Sequence, residues 1–272
     1  MAPINDRFEN VSLLRAFAAT AVVVYHVIEL TPWKTFATEG PLVTFRIGWI
    51  GVDLFFVISG FVITASALAL HRNNRDEFNR KYWTRRLSRI LPLYVLTGAL
   101  WIAIFGRGFF NQSASDWIGQ LGAHLTFTHT FWPRTFDSID GVNWTLGIEM
   151  QFYLAVALSI PWLARTPGWR IWVCCILIAW TWRAAWPLRP LHYVGEVSYG
   201  IYLWHLFAIE LLLGLGGIEP AQMLMLTLGV TLLLASVSWH FFEKPILAFG
   251  RKLSDLNAQP LGSRLPRTSC EP

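Results

Sequence analysis

The chain has 272 residues, 54% of them hydrophobic, 15% aromatic and only 14% charged, an apolar content above that of ordinary soluble domains. Its charges cluster between long apolar runs instead of being spread along helix faces, which argues against a water-soluble fold and makes the bilayer the expected solvent. The formal net charge of +5 comes without a recognisable nucleic-acid-binding module, and the apolar runs lack the alternation of barrel strands, so nucleic-acid binding and a transmembrane barrel are set aside.

Within hydrocarbon every backbone polar group must be paired internally, which leaves helices, and a spanning helix needs about twenty mostly apolar residues. That criterion picks out 11–29, 49–70, 90–106, 142–163, 171–187, 194–215 and 221–242. The stretch 117–132 is an eighth candidate, short and carrying His124 and His129, and is read either as a span or as a re-entrant or interfacial segment. The first run is not a secretory signal, because His26 and Glu29 lie near its end and no A-x-A-like cleavage site follows. Between the second and third runs, residues 71–91 gather Arg72, Arg75, Arg80, Lys81, Arg85, Arg86 and Arg89 against Asp76 and Glu77. Short basic loops stay cytoplasmic, which places the N-terminus inside as well. The cations of the C-terminal tail outweigh its carboxylates, so both termini are expected in the cytoplasm and an even number of spans is favoured. The expected fold is therefore an all-α polytopic bundle of eight transmembrane helices, with seven as the alternative. It forms one membrane domain, residues 1–249, followed by a mobile cytoplasmic tail, 250–272. Cys174, Cys175 and Cys270 have neither disulfide nor metal-ligand spacing, and no metal site is expected.

Ionisable side chains within spans are costly, so each is a candidate for function. Arg15 and His26 in the first run are eleven residues apart, three turns plus about 20°, so they share one helix face at a separation of roughly 16 Å. His26 is a candidate base, with a satisfied structural histidine as the alternative; Arg15 is a candidate anion ligand or a snorkelling anchor. Asp53 opens the second run, where it either complements the helix dipole or orients His26. Arg85, Arg86 and Arg89 precede Pro92 at the mouth of the third run, and their planar forks suit phosphate or pyrophosphate as well as topology. Glu149 lies one turn into NWTLGIEMQFYL and needs a partner, catalytic or structural. Glu196, Ser198, Tyr199 and His205 in VGEVSYGIYLWHL, and His240, Glu243 and Lys244 in HFFEKPI, are read as devices that begin and end helices.

In this order LLRAFAATAVVVYH, GVDLFFVISGFVIT, RRLSRILPLY, WTLGIEMQFYL, GEVSYGIYLWH and FFEKP, spread over residues 11–245, resemble the acyltransferase 3 family of bacterial membrane enzymes. The resemblance implies an integral, multi-pass protein of the bacterial inner membrane. It implies transfer of an acyl group, acetyl foremost, from acyl-CoA to a hydroxyl of a carbohydrate or glycolipid such as exopolysaccharide, O-antigen or peptidoglycan. No permanently bound cofactor is implied; acetyl-CoA is a co-substrate. On the family pattern His26 matches the essential histidine, Arg15 the arginine upstream of it, Arg85 and Arg86 the arginine pair implicated in donor handling, and Asp53 and Glu149 characteristic acidic positions. Only about fifty residues separate WTLGIE from GEVSYG, where typical members carry several more helices. The expected mechanism has Arg15, Arg85 and Arg86 holding CoA phosphates and His26 acting as general base or forming a transient acyl-histidine. A transporter or non-catalytic assembly partner for a lipid-linked glycan, using the same buried charges, is the alternative function.

Overall fold

The structure, a computed structural model, describes residues 9–31, 41–106, 109–136, 138–165 and 189–256. Among these residues it is helical, without strands: α1 (Glu9–Leu30), α2 (Ile50–Asn73), α3 (Phe78–Phe105), α4 (Ala114–Leu125), α5 (Trp144–Leu163), α6 (Arg189–Glu196), α7 (Ser198–Leu215), α8 (Pro220–Ser238) and α9 (Lys244–Leu256). Six helical stretches among them are long and apolar enough to cross a membrane: Val11–Leu30, Ile50–Asn73, Phe78–Phe105, Trp144–Leu163, Ser198–Leu215 and Pro220–Asp255. Large apolar side chains such as Phe17, Leu158, Met225, Leu233 and Phe241 stand exposed on the outside of the bundle, as a lipid-facing surface requires.

Three expectations change. The stretch 117–132 does not span: α4 has twelve residues, about 18 Å of helix against a hydrocarbon core of about 30 Å, and the chain then turns through the short 3-10 helix His129–Phe131. The run 194–215 is interrupted at Val197, so α6 and α7 are separate helices. The boundary at residue 250 falls inside α9, whose Gly250 sits against Ser88 of α3 and whose Leu253 carbonyl accepts from Arg80 at 3.1 Å. The expected span 171–187 and residues 257–272 of the expected tail lie outside the described residues.

Small side chains set how closely the helices approach. α1 buries Ala16, Ala18, Ala19, Val22, Val23 and Val27. Because the α1 side is small, α2 comes so near that a Cβ at Gly51 would stand 2.5 Å from the Ala18 carbonyl oxygen. α6 crosses the start of α1 at Gly195, where a Cβ would collide with the Ser12 backbone. α7 is the central element: Ile201 through Ile209 are buried without interruption, enclosed by α1, α3 and α8. Its companion α8 ends in a π-helical turn, Trp239–Glu243, which turns Glu243 inward to accept from Ser238 at 3.0 Å, while Ser238 also accepts from the Trp204 indole at 3.2 Å.

Candidate functional site

Residues far apart in sequence converge on one narrow cavity inside the bundle, about 70 Å³, room for a few water-sized occupants. α1 contributes Arg15, α2 Phe55 and Ser59, α3 Arg86 and Arg89, α5 Glu149 and Tyr153, and α7 Tyr199 and Tyr202. Arg86 and Arg89 share a face because residues three apart on a helix do, as do Glu149 and Tyr153, four apart. Glu149 accepts from the Tyr153 hydroxyl at 2.7 Å and lies 3.4 Å from the Ser59 hydroxyl. Among the described residues no guanidinium comes within ion-pairing distance of it. Arg86 donates to the Ser66 hydroxyl and its guanidinium lies 5.7 Å from the ring centres of both Tyr82 and Tyr153. The tyrosines are themselves fixed: Tyr82 donates to the Tyr153 carbonyl at 3.0 Å, Tyr199 to the Ile90 carbonyl at 2.9 Å, and Tyr202 to the Val142 carbonyl at 3.2 Å while accepting from Thr145 at 3.0 Å. Three guanidiniums and one carboxylate line the cavity, an excess of positive charge that an anionic ligand would balance.

His26 is not a wall of this cavity. It lies further along α1, with its Nδ1 2.9 Å from the Val22 carbonyl oxygen and 3.3 Å from Nε2 of His205 on α7. The His205 ring is fully buried and its Nδ1 is 2.6 Å from the carbonyl oxygen of Tyr202, the residue whose side chain borders the cavity. The histidine pair and the arginine cavity are thus joined through one turn of α7. In the sequence His205 reads only as part of a device that begins a helix; its signal is an imidazole in an otherwise apolar run. Tyr199 belongs to the same device, whereas Tyr153 and Tyr202 give no signal in the sequence, because an aromatic side chain in an apolar helix is equally suited to packing.

The remaining expected residues lie elsewhere. Arg85 points away from the cavity, half exposed, 3.7 Å from Asp255 of α9. Successive helical residues are turned by about 100°, so Arg85 and Arg86 leave α3 in different directions. Asp53 stands exposed in the first turn of α2, and among the described residues no hydrogen bond joins it to His26. Lys81 and Arg80 pair with Glu77 at 2.7 Å each, and these hydrogen bonds hold the Glu77 carboxyl below the usual carboxylate range. His124 and His129 stack at 4.2 Å beyond the spans. His124 contacts the Tyr94 hydroxyl at 3.0 Å and the Ser138 hydroxyl at 3.1 Å, and burial lowers its pKa to about 4. Asp140 accepts from the N–H groups of Val142 at 3.3 Å and Asn143 at 3.1 Å just before α5, and burial raises it to about 6. No cluster of three or more histidine, cysteine or acidic side chains suited to a metal occurs among the described residues.

Residues 8–183 match the sequence model of the acyltransferase 3 family, described as an acyltransferase domain. Over 150 residues the chain is 33% identical to the Bacillus subtilis protein YrhL, covering 52% of this chain and 22% of that one. It is 30% identical over 152 residues to the peptidoglycan O-acetyltransferase OatA of Listeria monocytogenes, covering 52% of this chain and 22% of that one. It is 29% identical over 163 residues to the O-acetyltransferase OatA of Staphylococcus aureus, covering 55% and 24%. The matched region spans less than a quarter of the length of these relatives. No solved structure matches the chain.

Proposed function

This chain belongs to the acyltransferase 3 family, and from that premise we propose that it is a membrane O-acetyltransferase that uses acetyl-CoA to acetylate a hydroxyl of a cell-surface glycan. The observation that carries the reading is the meeting of Arg15, Arg86 and Arg89 at one cavity, with His26 further along the helix that bears Arg15. The guanidiniums suit the phosphates of the donor. The roughly 16 Å between Arg15 and His26 along α1 is a distance an extended pantetheine arm can bridge. Exopolysaccharide, O-antigen and peptidoglycan all offer the required hydroxyl, and the name of the Listeria relative favours peptidoglycan as the first acceptor to try.

In the reaction His26 takes the proton of the acceptor hydroxyl as its oxygen bonds to the thioester carbonyl carbon. The tetrahedral intermediate then collapses with cleavage of the C–S bond, and the proton passes from the imidazole to the departing CoA thiolate, leaving an O-acetyl ester and free CoA.

The experiment is acetyl transfer from labelled acetyl-CoA to soluble peptidoglycan fragments by the full chain in lipid vesicles. Transfer is expected, and His26→Gln is expected to lower it by about 10²-fold or more at unchanged protein yield, the usual scale of acid–base catalysis. Absence of acetyl transfer to peptidoglycan, exopolysaccharide and O-antigen alike, with no release of free CoA, overturns the enzyme reading. Transfer that continues undiminished in His26→Gln overturns the role of His26.

A further inference from the structure

We infer that His205 is a positioning residue for His26, fixing that imidazole in the tautomer that leaves Nε2 bare and able to take a proton. Its catalytic consequence rests on the acyl-transfer reading above; its geometry does not.

Nδ1 of His205 lies 2.6 Å from the Tyr202 carbonyl oxygen, and a carbonyl oxygen can only accept, so this nitrogen carries the proton. A neutral imidazole has one N–H, which makes Nε2 of His205 an acceptor. The group presented to it, at 3.3 Å, is Nδ1 of His26. The same Nδ1 is 2.9 Å from the Val22 carbonyl oxygen. Two acceptors therefore converge on Nδ1 of His26, and the proton of that ring belongs there, with the lone pair on Nε2. The rings are 4.8 Å apart and tilted at 56°, an arrangement compatible with an N–H pointing at a ring nitrogen and not with face-to-face stacking.

Val22 alone is a weaker guide. In a helix its carbonyl is already the acceptor for the backbone N–H four residues on, whereas Nε2 of His205 faces Nδ1 of His26 as a separate acceptor. His205 is fully buried in α7, with Tyr202 holding its own orientation, so it cannot turn away into solvent. In histidine-dependent catalysis a carboxylate commonly fixes the base in its working tautomer; here Asp53 is exposed on the surface of α2, and a second imidazole stands where such a partner would.

Nitrogen-15 labelling of the histidines in the wild-type chain reads the tautomer without any assay of activity. Signals of His26 showing a protonated Nδ1 and a bare Nε2 are expected; a protonated Nε2 overturns the inference, whatever the enzyme acts on. His205→Phe keeps the ring volume and removes the acceptor, and should give a mixture of His26 tautomers. It should lower kcat on the order of 10²-fold with little change in KM for acetyl-CoA. His205→Gln keeps one donor and one acceptor and should recover much of kcat. An unchanged tautomer and an unchanged kcat in His205→Phe overturn the inference, as does equal loss of kcat in the Phe and Gln variants, which would mean that shape and not the acceptor matters. A wild-type chain that has the expected tautomer yet transfers no acetyl group refutes the acyl-transfer reading and leaves the histidine geometry standing.

Discussion

Arg85 and Arg86 occupy successive positions on α3, yet one meets an exposed carboxylate and the other a buried cluster of hydroxyls and aromatic rings. An exposed ion pair at 3.7 Å contributes little, since water and salt screen it and two long side chains must be held still. A fork held between Tyr82, Tyr153 and Ser66 cannot be replaced by an ammonium without losing its planar contacts. Arg86→Lys should therefore raise KM for acetyl-CoA by about tenfold, the scale of one lost hydrogen bond to a charged group, while Arg85→Lys stays near wild type. Equal effects of the two substitutions in steady-state kinetics would show that the donor phosphates lie at the surface and not in the cavity. The pair thus separates anion recognition from the topological use of positive charge, which the string RR by itself leaves merged.

At the scale of the element, the turn that leads into α5 depends on Asp140, which accepts from the N–H groups of Val142 and of the N-cap residue Asn143. Those bonds favour the carboxylate, but burial outweighs them and lifts Asp140 from 3.8 to about 6. A carboxyl raised in the folded state is more stabilising when protonated. Its contribution is fully present below pH 4 and is lost as pH rises through 6, an effect of up to about 3 kcal/mol for a shift of this size. Asp140→Asn retains an acceptor oxygen without the charge. Thermal unfolding in detergent should show the wild type losing stability relative to Asp140→Asn between pH 4 and 7, with a constant difference above that window. His124 and His129, held below their ordinary values, lose stability in the opposite direction as pH falls from 6.5, but do so in both variants, so the difference isolates the carboxyl. A difference independent of pH would mean that Asp140 is charged throughout and stabilised by its N–H partners alone.

For the whole molecule, the distribution of cations gives an expected orientation. The end of α2, the turn after it and the start of α3 carry Arg72, Arg75, Arg80 and Lys81, only partly offset by Asp76 and Glu77, and on the positive-inside rule we propose that this side faces the cytoplasm. The exposed Asn73 at the end of α2 reports on this assignment. In a chain whose Cys174, Cys175 and Cys270 are replaced by serine, Asn73→Cys should resist an impermeant thiol reagent in intact cells and react after lysis. Labelling in intact cells would reverse the orientation and put the mouth of α3 on the outer side, away from cytosolic acetyl-CoA.

The sequence by itself determined the solvent, the helical class and most of the spans, because in hydrocarbon a run of apolar residues has one way to satisfy its backbone. It also singled out Arg15, His26, Arg86, Arg89 and Glu149, since an ionisable side chain in such a run is conspicuous against its neighbours. It could not tell a span from a short helix at 117–132, where apolar content is similar and the difference is where the chain turns. Only the tertiary structure decided which charges meet: whether Arg85 or Arg86 faces inward depends on the rotation of α3, and the pairing of His26 with His205 depends on α1 and α7 lying side by side across 179 residues of chain. Helix rotation and helix adjacency are fixed by how small residues such as Gly51 and Gly195 let backbones approach, which is a property of pairs of helices and is written in neither helix alone.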